Sequence, residues 1–179
     1  GYRKVTIERP LRLDFQVSEE RLGRLKEQTA FINLALSKKK DPKQKLADEA
    51  EGTRVQARIL EILNGLPKEK FLNRDEFEKK LEKAFKQNDF KLDAPIRKAL
   101  LSALSERNDE VSICLLKDGT PEADSELRDT ENVPLLEDIQ EYFDREVRPH
   151  VPDAWINTAI LDQRDGKVGR VGYEINFNR

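Results

Sequence analysis

The stretch Val5-Thr6-Ile7-Glu8-Arg9-Pro10-Leu11-Arg12-Leu13-Asp14-Phe15-Gln16-Val17 alternates apolar and polar residues, with Arg9 the one exception on the apolar register. A period of two sends successive side chains to opposite faces, so the stretch reads as strand. Pro10 cannot donate a ladder hydrogen bond and implies an edge position, a bulge or two short strands. The period then changes. Ser18 with Glu19 and Glu20 has the form of an N-cap with acids in the first turn, and Leu22, Leu25, Ile32 and Leu36 recur at helical spacing, predicting a helix from Ser18 to Ser37. Strand followed at once by amphipathic helix points to an α+β chain.

Working onward, Lys38-Lys39-Lys40-Asp41-Pro42-Lys43 reads as a solvated linker, with a basic contact to nucleic acid as the second reading. A helix over 44–64 carries Leu46, Ala50, Val55, Ile59, Ile62 and Leu63 and is closed by Gly65 and Pro67. Asn73 and Glu76 have the spacing of a capping box ahead of Phe77, Leu81, Ala84 and Phe85, and Asp93 with Pro95 opens a helix facing inward through Ile96, Leu100 and Leu104. Val111–Leu116 is a short apolar run ending in a turn and predicts a strand; 122–133 is polar and irregular. Pro134 is expected to start a helix with Leu135, Ile139, Phe143 and Val147 on one face, ended by Pro149 and Pro152. Asp165-Gly166 marks a turn, and Val171, Tyr173, Ile175 and Phe177 alternate as a terminal strand. The fold class is therefore α+β, mainly α: amphipathic helices with short strands at the N-terminus, around 111–116 and at the C-terminus, on one core with appendages.

Of 179 residues, 38% are charged and 37% apolar, against usual values of about 25% and roughly 45–50%. Thirty-three basic residues face thirty-five acidic ones, so no chain-wide basic footprint for nucleic acid exists. Cys114 stands alone, which excludes an internal disulfide and suits a reducing, cytoplasmic setting. No apolar run approaches the ~18–20 residues of a membrane span, so no membrane partner is expected. The chain has no methionine and begins Gly1-Tyr2-Arg3, which reads as a piece of a longer parent.

Chemistry-bearing patterns are few. One His and one Cys far apart leave no common zinc site. His150, between Pro149 and Val151-Pro152, reads as a residue at a helix end, and Glu137 and Asp138 as first-turn acids. Gly166, Gly169 and Gly172 are spaced GxxGxxG without a following helix, which is no nucleotide fingerprint, and no Walker A loop occurs. Trp155 reads as a packing residue of the turn after the last helix, with partner contact as the alternative. The helices at 73–87 and 93–106 allow a winged helix-turn-helix drawing, whose second helix offers Arg97 and Lys98 near its start but also Glu106 and then Asp109, and no base-reading cluster of Arg, Asn or Gln.

Two passages go further: Tyr2-Arg3-Lys4-Val5-Thr6-Ile7-Glu8-Arg9-Pro10-Leu11-Arg12-Leu13, and Arg128-Asp129-Thr130-Glu131-Asn132-Val133-Pro134-Leu135 continuing through Glu137-Asp138-Ile139, Tyr142-Phe143 and Arg145-Glu146-Val147. With Pro149-His150-Val151-Pro152-Asp153-Ala154-Trp155-Ile156 and Val171-Gly172-Tyr173-Glu174-Ile175-Asn176-Phe177-Asn178-Arg179, they resemble the C-terminal region of the modification (M) subunit of type I restriction-modification systems, the N6-adenine DNA methyltransferase family. The resemblance covers both ends and is weak over 23–92. It implies that 1–17 belongs to the sheet of a catalytic domain absent from this chain, and that 18–179 is a helical C-terminal extension with a terminal strand. It also implies specificity and restriction subunits of the same system as partners, DNA in the assembled complex, and S-adenosylmethionine as cofactor of the parent. The family's Gly-rich loop and Asn-Pro-Pro-Phe or Asn-Pro-Pro-Tyr motif are both missing here, so no catalytic, cofactor-binding or metal residue is assigned in this chain. A cut through the sheet also predicts an unpaired N-terminal strand, which either finds the terminal strand of its own chain or pairs two copies into a homodimer. An independent winged-helix DNA-binding module is the competing function.

Overall fold

A computed structural model of the chain describes residues 1–173. In chain order the elements are β1 (Tyr2–Glu8), β2 (Leu13–Phe15), α1 (Glu19–Lys26), α2 (Thr29–Asn33), α3 (Pro42–Asn64), α4 (Arg74–Gln87), α5 (Ala94–Leu104), β3 (Ser105–Arg107), β4 (Asp129–Pro134), α6 (Ile139–Tyr142) running into a π-helical turn (Phe143–Val147), β5 (Trp155–Ile156) and β6 (Arg170–Gly172). The chain is α+β and mainly α. It forms two compact units rather than one core with appendages: a helical unit from Arg12 to Cys114, and a sheet unit in which residues 1–11 join the chain from Leu115 onward. The division lies between Leu11 and Arg12, inside the alternating stretch that opens the chain, and of the readings open for Pro10 the two short strands are the ones formed.

In the helical unit, Ser18 accepts a hydrogen bond from the Arg21 amide and starts α1. The single helix expected over 18–37 is broken at Gln28, whose φ of −71° and ψ of 132° are extended. In an unbroken helix Phe31 would lie on the side opposite Leu22 and Leu25. The break turns Phe31 into the core and leaves Ile32 and Leu36 exposed, so the larger ring is the one buried. Helix α3 starts at Pro42, with Asp41 accepting from the Gln44 amide, and ends at Gly65 as expected. Only its second half carries buried apolar residues, Ile59, Ile62 and Leu63, whereas Leu46 is exposed. Gly52 lets the backbone at Leu34 approach: a Cβ there would lie 1.8 Å from the Leu34 carbonyl oxygen, so no other residue fits without moving α3.

Asn73 caps α4 by accepting from the Glu76 amide at 3.2 Å, while Asp93 stands at the N-cap of α5 without a side-chain cap bond. Phe77, Leu81 and Phe85 of α4 meet Ile96, Leu100 and Leu104 of α5 in one cluster with Phe15, Leu25 and Leu63. Phe15 stacks on Phe77 with ring centroids 4.8 Å apart, and Phe71 meets Phe77 edge-on. The strand expected around 111–116 does not form. Val111 and Cys114 are buried three residues apart, out of step with a period of two, and Ile113 makes only a single bridge, to Arg12. The partner of β2 is instead β3, from Leu13↔Arg107 to Phe15↔Ser105.

In the sheet unit β1 is the central strand. Along one edge it pairs antiparallel with β4 from Tyr2↔Pro134 to Ile7↔Asp129; the other edge is shared by β6 at the Tyr2–Lys4 end and β5 at the Ile7–Glu8 end. The N-terminal strand thus takes the terminal strand of its own chain, Arg3 opposite Val171, as one of its expected partners; the part of that strand from Glu174 to Arg179 lies outside the described residues. The segment 122–133, expected to be irregular, contains β4, and Pro134 ends that strand instead of starting a helix. Only Val133 of β4 is buried, so backbone pairing with β1 defines this strand and no apolar alternation announces it. The helix starts later, where Asp138 accepts from the Glu141 amide, and Leu135 is exposed. Phe143 and Val147 do reach the core, packing on Ile7 and Ala154.

Candidate functional site

Alternation along β1 turns Val5 and Ile7 into the core and assigns Glu8 to the opposite face. That face is covered at its end. Glu8 stands in register with Trp155 of β5, and the Asn157 amide just beyond β5 donates to the Thr6 carbonyl at 2.9 Å, which clamps the segment against β1. Arg128, immediately before β4, reaches the same place. Its Nε donates to Glu8 Oε1 at 2.7 Å, and Asn157 Nδ2 donates to the same oxygen at 3.0 Å. Glu8 is only 1% exposed, and its Oε2 has no hydrogen-bond partner among the described residues.

These groups line a cavity of about 670 Å³ whose walls also include Leu116, Pro121 and Ile156. That volume lies within the range of roughly 300–1,000 Å³ usual for small-molecule and cofactor sites. Arg128 is half-exposed, and its guanidinium makes no further hydrogen bond with the described residues. Asn157 is held in turn, its Oδ1 accepting from the Ala159 amide. The site offers a buried carboxylate acceptor, guanidinium donors anchored at one nitrogen, and an indole wall. Such a set is suited to recognition.

The residues singled out in the sequence lie elsewhere, apart from Trp155. Trp155 is half-buried in the cavity wall and not in the core, where a packing role would place it. His150 is exposed at the end of the π-helical turn, its amide bonded to the Val147 carbonyl. Asp138 is a cap, and Glu137 pairs with Arg145. Gly166 and Gly169 have φ of 69° and 87°, conformations that favour glycine, in the turn ahead of β6. That turn is organised by Asp162, whose carboxyl is held below its ordinary range by the amides of Val171 and Arg164. In the helical unit Arg97 pairs with Glu82 and Glu78, so its charge is compensated within the unit, and Lys98 is exposed. Among the described residues no group of three or more His, Cys, Asp or Glu is placed to hold a metal, and no helix is long and apolar enough to cross a membrane.

Sequence reading missed Glu8, Arg128 and Asn157 as a group. Glu8 has the register of an outward strand residue, and its partners are more than a hundred residues away. The available signal was Trp155, an aromatic residue followed by Ile156-Asn157 after two prolines. No family model, curated protein or solved structure matches the chain.

Proposed function

We propose that this chain is a non-catalytic C-terminal piece of the modification subunit of a type I restriction-modification system, an adenine-N6 DNA methyltransferase, acting in assembly with the specificity and restriction subunits and in enclosing DNA in the cytoplasm. One observation supports the reading. The separate passages that carry the resemblance, Tyr2–Leu13, Arg128–Leu135, Pro149–Ile156 and the stretch from Val171, supply β1, β4, β5 and β6 of a single sheet. The passages that carry the resemblance therefore lie together in one compact unit. S-adenosylmethionine belongs to the parent in this reading. Neither the Gly-rich loop nor the Asn-Pro-Pro motif is present to hold it.

The test is to mix the chain with the specificity subunit encoded beside its parent frame and measure solution mass by light scattering. A joint species is the expected result. A chain that remains separate overturns the assembly role, and so does a parent frame lacking an Asn-Pro-Pro-Phe or Asn-Pro-Pro-Tyr segment upstream of Gly1. Salt-dependent duplex binding that maps to α4 and α5 without any partner subunit would favour the winged-helix module instead.

A further inference from the structure

We propose that the cavity formed by Glu8, Arg128, Trp155 and Asn157 binds an unstacked nucleobase of a single-stranded or extruded nucleic acid segment. The inference goes beyond the assembly reading and does not depend on it, since the chain can dock a partner subunit without holding a base, and the reverse.

Three features of the cavity select this occupant. Glu8 is buried with Oε2 unpartnered among the described residues, and a buried carboxylate oxygen without a donor is costly. The occupant therefore has to bring an N–H. Arg128 is held through Nε alone, and its guanidinium forms no other hydrogen bond with the described residues, so it has donors to offer an acceptor on the occupant. A cationic side chain satisfies Glu8 but offers Arg128 nothing; a carboxylate or phosphate does the opposite and meets the negative charge of Glu8. An edge that presents donor and acceptor side by side satisfies both. Every nucleobase has such an edge on its Watson–Crick side, which is free once the base is unpaired. Trp155 supplies the remaining element, a flat apolar surface on which a ring stacks, and about 670 Å³ accommodates a ring where an amide side chain would leave most of the space unfilled. Arg128 shifts on its half-exposed stem to admit the base edge to the carboxylate, while Asn157 keeps its bond to Glu8 Oε1.

Trp155 is the only tryptophan, so its emission reports on this cavity alone. The full chain is titrated with short oligo-dC, oligo-dT and an abasic strand of equal length, following Trp155 emission and, for variants, the anisotropy of labelled strands. Both base-bearing strands are expected to quench Trp155 and to bind roughly fivefold to a hundredfold more tightly than the abasic strand, the range for one stacked base. Glu8→Gln is expected to weaken oligo-dC binding and leave the abasic strand unchanged. Arg128→Gln, at a half-exposed position and with a side-chain amide that can still donate to Glu8, is expected to do the same, its thermal melt showing that the chain is folded. Equal binding of abasic and base-bearing strands overturns the proposal, as does quenching by none of them or an Arg128→Gln chain with unaltered preference. None of these outcomes bears on the mixing experiment with the specificity subunit.

Discussion

Each unit buries a carboxylate beside an arginine, and the two pairs are built differently. In the helical unit Asp14 is 2% exposed: Oδ1 accepts from Arg21 Nη1 at 2.7 Å and Oδ2 from Asn108 Nδ2 at 3.0 Å. Arg21 is itself buried, and its guanidinium goes on to the Leu104 carbonyl and to Glu106. Both oxygens and the cation are satisfied, and the group ties β2, α1 and β3 together. In the sheet unit Glu8 accepts twice on one oxygen and, among the described residues, not at all on the other, and its arginine is half-exposed in a cavity wall. A closed network serves the fold, while an open one leaves bonding capacity for something else. The difference separates a structural ion pair from a candidate site when the sequence shows only two acids on alternating strands.

Removing the cation sharpens the contrast most. Arg21→Met leaves Asp14 charged and buried among packed helices, and a loss of about 3–5 kcal/mol is expected by urea denaturation of the helical unit. Arg128→Met takes from Glu8 one hydrogen bond to a charged group beside a cavity that water can enter, so about 1.5–3 kcal/mol is expected. Equal losses would break the comparison and make Glu8–Arg128 a structural pair like its counterpart.

Neutralising the carboxylates gives the next effect. Asp14→Asn removes the buried one of the two carboxylates that pair with Arg21, leaving Glu106, and places an amide NH2 opposite Arg21 or Asn108, both donors. A destabilisation of about 2–3 kcal/mol is expected. Glu8→Gln puts its NH2 at the position that now lacks a partner and keeps an acceptor for Arg128 and Asn157, and should cost about 1 kcal/mol or less. Thermal melts of the two variants decide the point, and a Glu8→Gln chain as damaged as Asp14→Asn would mean that the unpaired oxygen matters to the fold.

How much of this was legible depended on the range of each interaction. Helices α3, α4 and α5 were readable because caps and inward residues lie within a few positions of one another, as with Asn73 and Glu76 or Ile96, Leu100 and Leu104. The break at Gln28 was not, since burying Phe31 in place of Ile32 depends on what packs opposite. Strands β3 and β4 carry almost no buried apolar residues and exist through backbone pairing with distant segments, which leaves no local pattern. The candidate site is the extreme case: Glu8, Arg128 and Asn157 are ordinary surface residue types until three strand ends are brought together.

The smallest expected effect is a pH dependence that belongs to the Asp14 pair. Burial pushes the Asp14 carboxyl up, but hydrogen bonds from Asn108 and Arg21 and the nearby Arg21 charge outweigh it and hold the group below its ordinary range. A carboxyl with a lower pKa folded than unfolded binds fewer protons in the native state. Its contribution is therefore fully present above the unfolded pKa of about 3.9 and is lost as pH falls through the lower, folded value. One group changes stability by at most about 1.4 kcal/mol per pH unit, so the slope is small and confined to the acid end. Urea midpoints of the helical unit below pH 4 should fall less steeply in Asp14→Asn than in the parent chain, because the variant has no proton to take up at that position. Parallel slopes for the two would show that Asp14 is not held in its charged form by Arg21 and Asn108, and the closed network would lose its main distinction from the open one around Glu8.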